Sequence, residues 1–167
     1  APSNPATDFP CAGGAFVIPG VAGDLELLTA CPPQDSARPV TAVICHPHPL
    51  HGGSMQNKVV HTLARAVGEL GARSVRFNFR GVGRSGGDYD HGRGETEDLL
   101  AVIAWARAHR PQDRLWLAGF SFGSYVALQA SVRFDVAQLV LVAPPVNLYD
   151  FSRLALPACP LLVIQGG

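Results

Sequence analysis

Short apolar runs alternate with longer stretches of helical spacing along this chain of 167 residues. Continuous or alternating apolar runs predict strands, and apolar residues recurring every three or four positions predict helices. The predicted strands are 15–18, 25–29, 40–45, 73–79, 114–118, 136–142 and 160–164, and the predicted helices are 54–70, 95–109 and 122–132. This order predicts an α/β protein with a mostly parallel, doubly wound sheet flanked by helices. The length fits one domain over residues 1–167.

Charge and composition exclude several classes of partner. Basic and acidic side chains balance at 13 each, so the formal net charge is zero. A neutral chain gives no reason to expect binding to nucleic acid or to anionic lipid. No apolar run reaches the roughly 18 residues of a membrane helix, so we expect no membrane partner.

The four cysteines are scattered, with no C-x-x-C pair among them: Cys11, Cys31, Cys45 and Cys159. A disulfide is possible, but a chain long enough for a sizeable core has no need of one. We therefore expect free thiols in a reducing compartment, and a cytoplasmic protein.

The segment G-F-S-F-G at 119–123 links the predicted strand 114–118 to the helix that begins at residue 122. A G-x-S-x-G at such a turn places its serine at the tip of a tight bend, where flanking side chains would clash. Ser121 is therefore the candidate nucleophile, and the Phe122 N–H is a candidate donor to a developing oxyanion. The alternative is a glycine-rich helix start in which Ser121 is an ordinary N-cap.

A second segment, C-H-P-H-P-L-H-G-G at 45–53, follows the strand predicted to be buried on both faces. Its two prolines have no N–H, which leaves the amides of His48 and Leu50, among others, free to face a substrate. A nucleophile elbow requires a second oxyanion donor from the loop after an early strand. We expect this loop to supply that donor and His46 to be a structural histidine that bonds neighbouring loops.

A third segment, R-G-V-G-R-S-G-G at 80–87, matches neither phosphate-binding fingerprint, because polar residues separate it from the next helix. Together the three segments resemble the α/β-hydrolase superfamily, and the second is similar to a group of small bacterial serine hydrolases with little or no lid. The resemblance runs from about residue 15 to the C-terminus. It implies Ser121 as nucleophile, the Phe122 amide as one oxyanion donor and the His48 amide as the favoured second donor, with Leu50 as the fallback.

The resemblance also implies residues that this sequence lacks. The family's triad follows the chain order Ser, Asp or Glu, His. All six histidines precede Ser121, however, and the only acids after it are Asp135 and Asp150. We therefore expect the acid and base beyond Gly167, in a final strand and helix that are missing, and a chain that is inactive by itself. Asp150 is an alternative acid.

The leading functional prediction is a serine hydrolase. It would cleave an ester, thioester or amide of a small-molecule acyl substrate through an acyl-enzyme on Ser121, with no metal or organic cofactor. A metallohydrolase is the alternative enzyme, because His46, His48 and His51 have an H-x-H-x-x-H spacing that could hold Zn²⁺. A domain that has lost its triad and only binds is the third possibility.

Overall fold

The computed structural model describes residues 8–166, which form a seven-stranded, mostly parallel sheet with three α-helices. The strands are β1 (Phe16–Pro19), β2 (Asp24–Ala30), β3 (Val40–Cys45), β4 (Arg73–Phe77), β5 (Arg114–Phe120), β6 (Val136–Val142) and β7 (Leu161–Ile164). The helices are α1 (Lys58–Glu69), α2 (Arg93–His109) and α3 (Phe122–Ser131). The predicted fold class is confirmed. Residues 1–7 and 167 of the predicted domain lie outside the described residues.

The strand order is β1-β2-β4-β3-β5-β6-β7. The β1–β2 and β2–β4 pairs are antiparallel, and the remaining pairs are parallel. The carboxyl ends of β3, β5, β6 and β7 therefore meet at one edge of the sheet, where ligands of such sheets bind. The second segment leaves β3 at this edge, and the serine turn leaves β5 beside it.

The sheet is covered on both faces, so consecutive residues of β3 pack in different hydrophobic cores. Val43 and Cys45 belong to the larger core, which contains residues of α2 and α3. Ile44 points the other way and packs with α1. This double covering explains why all six residues of β3 are buried and why all of them except Thr41 are apolar.

Helix α1 begins four residues later than predicted because Asn57 caps it. The Asn57 side chain accepts the N–H groups of Val59 and Val60 at 2.9 and 3.3 Å, which satisfies donors that the first turn leaves free. The helix ends near Gly71, whose φ of +90° is the left-handed conformation that glycine adopts without strain.

Helix α2 begins two residues earlier than predicted, and its acidic first turns have specific partners. Glu95 is buried and accepts the N–H groups of Asp90 and Gly92 at 2.8 and 2.9 Å. Asp98 is also buried and binds the main chain and the guanidinium of Arg80 at 2.9 to 3.3 Å. These bonds tie the loop that leaves β4 to α2.

Two of the four cysteines form a disulfide, so the expectation of free thiols was wrong for Cys11 and Cys31. The β1–β2 hairpin returns the chain toward the N-terminal arm, where Thr29 Oγ1 donates to the Pro10 carbonyl at 2.6 Å. This contact brings the two cysteines together although 20 residues separate them. Within residues 8–166 no helix has the length and apolar character needed to cross a membrane. The cytoplasmic location stays a prediction.

Candidate active site

Ser121 lies at the turn between β5 and α3 with φ 55° and ψ −119°. Residues other than glycine avoid this conformation, which costs about 1–3 kcal/mol. The Ser121 N–H donates to the Val142 carbonyl at 2.9 Å, and the Ser121 carbonyl accepts the N–H and the hydroxyl of Ser124. The surrounding main chain therefore holds the strained backbone in place.

The Ser121 hydroxyl is available for chemistry. It forms no hydrogen bond to another residue within 8–166, and it does not cap α3, which contradicts the N-cap interpretation. The residue is half-buried, and no side-chain oxygen or nitrogen in this part of the chain is both buried and without a partner. Ser121 Oγ is therefore in contact with solvent.

The elbow closes only because both flanking residues are glycines. A Cβ on Gly119 would lie 2.3 Å from the Gly123 carbonyl oxygen. A Cβ on Gly123 would lie 2.4 Å from the Cys45 carbonyl oxygen and 2.6 Å from that of His46. The first turn of α3 thus packs directly on the main chain at the end of β3, which places the second segment beside the nucleophile.

Two unpaired main-chain amides come from these adjoining segments. The Phe122 N–H opens α3 and has no acceptor among residues 8–166, and the same is true of the His48 N–H. The Leu50 N–H, in contrast, donates to His48 Nδ1 at 3.1 Å. Of the two predicted candidates for the second donor, only the His48 N–H is therefore unbonded among the described residues.

His46 is fully buried, as expected of a structural histidine. Its Nε2 accepts the Phe79 N–H at 3.0 Å, and its Nδ1 donates to the Pro47 carbonyl at 2.6 Å. Burial lowers the pKa of His46 to about 4, against a smaller opposing effect of the bond to Pro47. The ring is therefore neutral near pH 7 and joins the loops after β3 and β4.

The three histidines of the second segment do not converge on a metal site. Both ring nitrogens of His46 are bonded to main-chain groups, and those of His48 face the Leu50 N–H and the Tyr89 hydroxyl. His51 stacks on the His48 ring at 4.3 Å between centroids. In the described part of the chain, no three His, Cys, Asp or Glu side chains are arranged to hold a metal ion.

His48 is held as a neutral ring. Burial lowers its pKa, and the proximity of His51 and His91 lowers it further. The neutral ring can accept a hydrogen bond, as its contact with the Leu50 N–H requires.

The third segment is structural, and its key residue had no predicted role. Ser85 is buried; its hydroxyl donates to the Asn78 carbonyl at 2.6 Å and accepts the Glu26 N–H at 2.9 Å. The Glu26 carboxylate accepts the Arg84 N–H and the Asn78 side-chain amide. These internal bonds occupy amides that a phosphate cradle would need. The loop instead fixes the end of β4, from which Phe79 reaches His46.

Asp150, the alternative acid, is exposed and caps a short 3₁₀ turn, Phe151–Arg153. Its carboxylate accepts the N–H and the hydroxyl of Ser152 and pairs with Arg153 at 3.2 Å. No histidine bonds to it or to Ser121 within residues 8–166. The described residues therefore bring together the candidate nucleophile and two candidate oxyanion donors, but no candidate base.

Known proteins resemble this chain over most of its length. A family model described as the alpha/beta hydrolase fold matches residues 42–158. A serine hydrolase without a lid from Xanthomonas campestris shares 51% identity and a TM-score of 0.90, with 98% of this chain and 74% of that chain covered. A serine hydrolase homologue from Coxiella burnetii shares 51% identity and a TM-score of 0.91, with 95% of this chain and 76% of that chain covered.

A curated relative is an uncharacterized protein from Rickettsia prowazekii. It is 41% identical over 131 residues, which are 75% of this chain and 55% of the relative. The chain thus spans about half the length of that relative.

Proposed function

The chain belongs to the α/β-hydrolase family, and we propose that it is a serine hydrolase that cleaves esters, thioesters or amides through an acyl-enzyme on Ser121. The supporting observation is a strained serine with an unbonded, solvent-accessible hydroxyl beside two unpaired amides. In this proposal Ser121 Oγ attacks the acyl carbon while a base takes its proton. The amides of Phe122 and His48 bind the oxyanion, and the leaving group departs with the proton. Water then attacks the acyl-enzyme and releases the acid.

We propose in addition that the acid and the base come from residues after Gly167. The Ser121 N–H bonds to the Val142 carbonyl, and the Ala143 N–H bonds to the Ile164 carbonyl at 2.7 Å. The ends of β5, β6 and β7 are therefore neighbours, and the chain leaves β7 about 10 Å from the nucleophile, two strand spacings away. About a quarter of each of the two serine hydrolases compared above has no counterpart in this chain, which is consistent with a longer protein that supplies these residues.

The proposed substrate carries a small acyl group. The loops that flank the elbow, between β4 and α2 and between β6 and β7, contain no helix longer than the three-residue turn Phe151–Arg153. Neither loop, within residues 8–166, therefore carries a helical lid over the serine. An open site of this kind favours short acyl groups over long chains that need burial.

Labelling with a fluorophosphonate probe tests the proposal. We expect the protein carrying its natural residues after Gly167 to be labelled at Ser121 and to hydrolyse p-nitrophenyl acetate, and the Ser121→Ala variant to do neither. The chain that ends at Gly167 should be slower by about 10⁴–10⁶, since triad deletions have that effect. A folded, longer protein that hydrolyses esters but leaves Ser121 unlabelled would refute the proposed nucleophile.

A further inference from the structure

The side chain of His48 connects the loop after β3 to the loop before α2. Its Nδ1 accepts the Leu50 N–H at 3.1 Å, and its Nε2 lies 3.1 Å from the Tyr89 hydroxyl oxygen. Because Nδ1 accepts a hydrogen bond from an N–H, the proton of the neutral ring is on Nε2. The Nε2–H group therefore donates a hydrogen bond to the Tyr89 oxygen. One side chain thus bonds two loops, and neither bond takes part in the acyl-transfer steps proposed above.

Main-chain bonds hold the same residue from its other side. The His48 carbonyl accepts the N–H groups of His51 and Gly53 at 3.1 and 3.0 Å. The turn is closely packed, since a Cβ on Gly53 would lie 2.1 Å from the Pro47 carbonyl oxygen. Among residues 8–166, the N–H is then the one polar main-chain group of His48 without a partner, and it is the proposed oxyanion donor.

The ring of His48 also contacts the elbow. Its centroid is 5.2 Å from that of Phe122, whose N–H is the other proposed donor. The Tyr89 ring lies 4.9 Å from His48 and 5.9 Å from Phe122. The three rings pack between the segments that carry the two amides, so the separation of those amides depends on how the rings are held.

We propose that His48 and Tyr89 are positioning residues, whose side chains hold the His48 amide at the place where it can bind the oxyanion together with the Phe122 amide. This inference rests on the proposed function. The two side chains act through the main chain and do not touch the reacting atoms.

The expected loss of kcat is at most that of a displaced donor and smaller than that of a deleted one. Deleting an oxyanion donor costs about 10²–10³ in kcat, and a displacement of about 1 Å can cost about 10². We expect His48→Ala to lower kcat by about 10- to 100-fold with little change in KM, because the bond to the oxyanion forms only in the transition state.

Two conservative variants separate the two bonds of the ring. His48→Asn places an oxygen at the position of Nδ1 and keeps the Leu50 bond. His48→Gln reaches the position of Nε2 and keeps the Tyr89 bond. Each should restore part of the kcat lost in His48→Ala for p-nitrophenyl acetate, measured on the protein with its residues after Gly167. Tyr89→Phe should lower kcat by about 3- to 10-fold in the wild type but not in His48→Asn, where its partner is already gone.

The matched control is His61→Ala, an exposed histidine on α1 whose ring makes no hydrogen bond to another residue in 8–166 and does not contact His48 or Tyr89; we expect kcat within twofold. The affinity for a boronic-acid transition-state analogue should fall in proportion to kcat across the series. Equal losses in His61→Ala and His48→Ala, or an unchanged kcat in Tyr89→Phe and both conservative variants, would overturn the inference. Fluorophosphonate labelling separates the two failures. An unlabelled wild type means that the proposed function has failed, whereas a labelled wild type with fully active variants means that only the positioning role has.

Discussion

The backbone of Ser121 should be a measurable source of instability, and replacing the serine by glycine should relieve it. At φ 55° and ψ −119° a residue with a Cβ is strained, whereas glycine is not. The two variants Ser121→Gly and Ser121→Ala form a matched pair. Both remove the hydroxyl, which has no hydrogen-bond partner in residues 8–166, and only the first removes the Cβ.

The expected difference follows from two opposing effects. Strain at such a backbone costs about 1–3 kcal/mol. Glycine, however, loses more conformational freedom on folding than alanine does, by roughly 0.5–1 kcal/mol. Ser121→Gly should therefore be more stable than Ser121→Ala by about 1 kcal/mol, which is about 2–4 °C in Tm for a chain of this size.

Urea denaturation of the wild type and of both variants measures this difference. Ser121→Ala should stay within about 0.5 kcal/mol of the wild type, since a solvent-exposed hydroxyl adds little. Fluorophosphonate labelling should be lost equally in both variants. If Ser121→Gly were no more stable than Ser121→Ala, the elbow would not be strained, and a main argument for the nucleophile would be lost.

Three further perturbations test other parts of the structure. Lowering the pH from about 6.5 to 4 should reduce the free energy of unfolding by up to about 3 kcal/mol through His46. In this range the imidazole is protonated in the unfolded chain but stays neutral when it is buried in the folded protein. Urea melts at several pH values should show that the free energy of unfolding falls less between pH 6.5 and 4 in His46→Asn than in the wild type. Gly123→Ala should destabilise by about 1–3 kcal/mol or more, because the new Cβ would lie 2.4 Å from a carbonyl oxygen. The control is Gly68→Ala, where a Cβ meets nothing within 4 Å, and thermal melts should show a gain of up to about 1 kcal/mol. Reducing the Cys11–Cys31 bond, which spans 20 residues, should lower stability by about 3 kcal/mol; a double serine variant should not respond to reductant.

The elbow and the strands beside it could be predicted because they depend on local constraints. The G-x-S-x-G pattern requires small residues where main chain meets main chain, and the contacts of Gly119 and Gly123 are of that kind. The continuous apolar run of β3 follows from burial on both faces. Such features are set by neighbours along the chain or by the period of side-chain burial, so a single sequence contains them.

The features that prediction missed depend on residues far apart in the sequence. No partner of Asp98 is predicted from the sequence, yet this carboxylate is buried against Arg80, 18 positions away. Ser85 bonds Glu26 across 59 positions. The bond between Cys11 and Cys31 depends on a hairpin between them, which no short cysteine spacing reveals.

The serine turn and the His48 loop are held in place by different kinds of contact. Ser121 is bonded to β6, and Gly123 is packed on the end of β3, so the proposed nucleophile and the Phe122 amide are fixed by three parallel strands. The His48 amide lies on a loop whose position depends on side-chain bonds as well. The strained serine is thus held by main-chain contacts with the sheet, whereas the His48 amide is held in part by side-chain bonds between two loops. Substitutions that tune the rate are therefore expected around His48 and Tyr89, whereas substitutions of the elbow glycines Gly119 and Gly123 should affect folding and chemistry together.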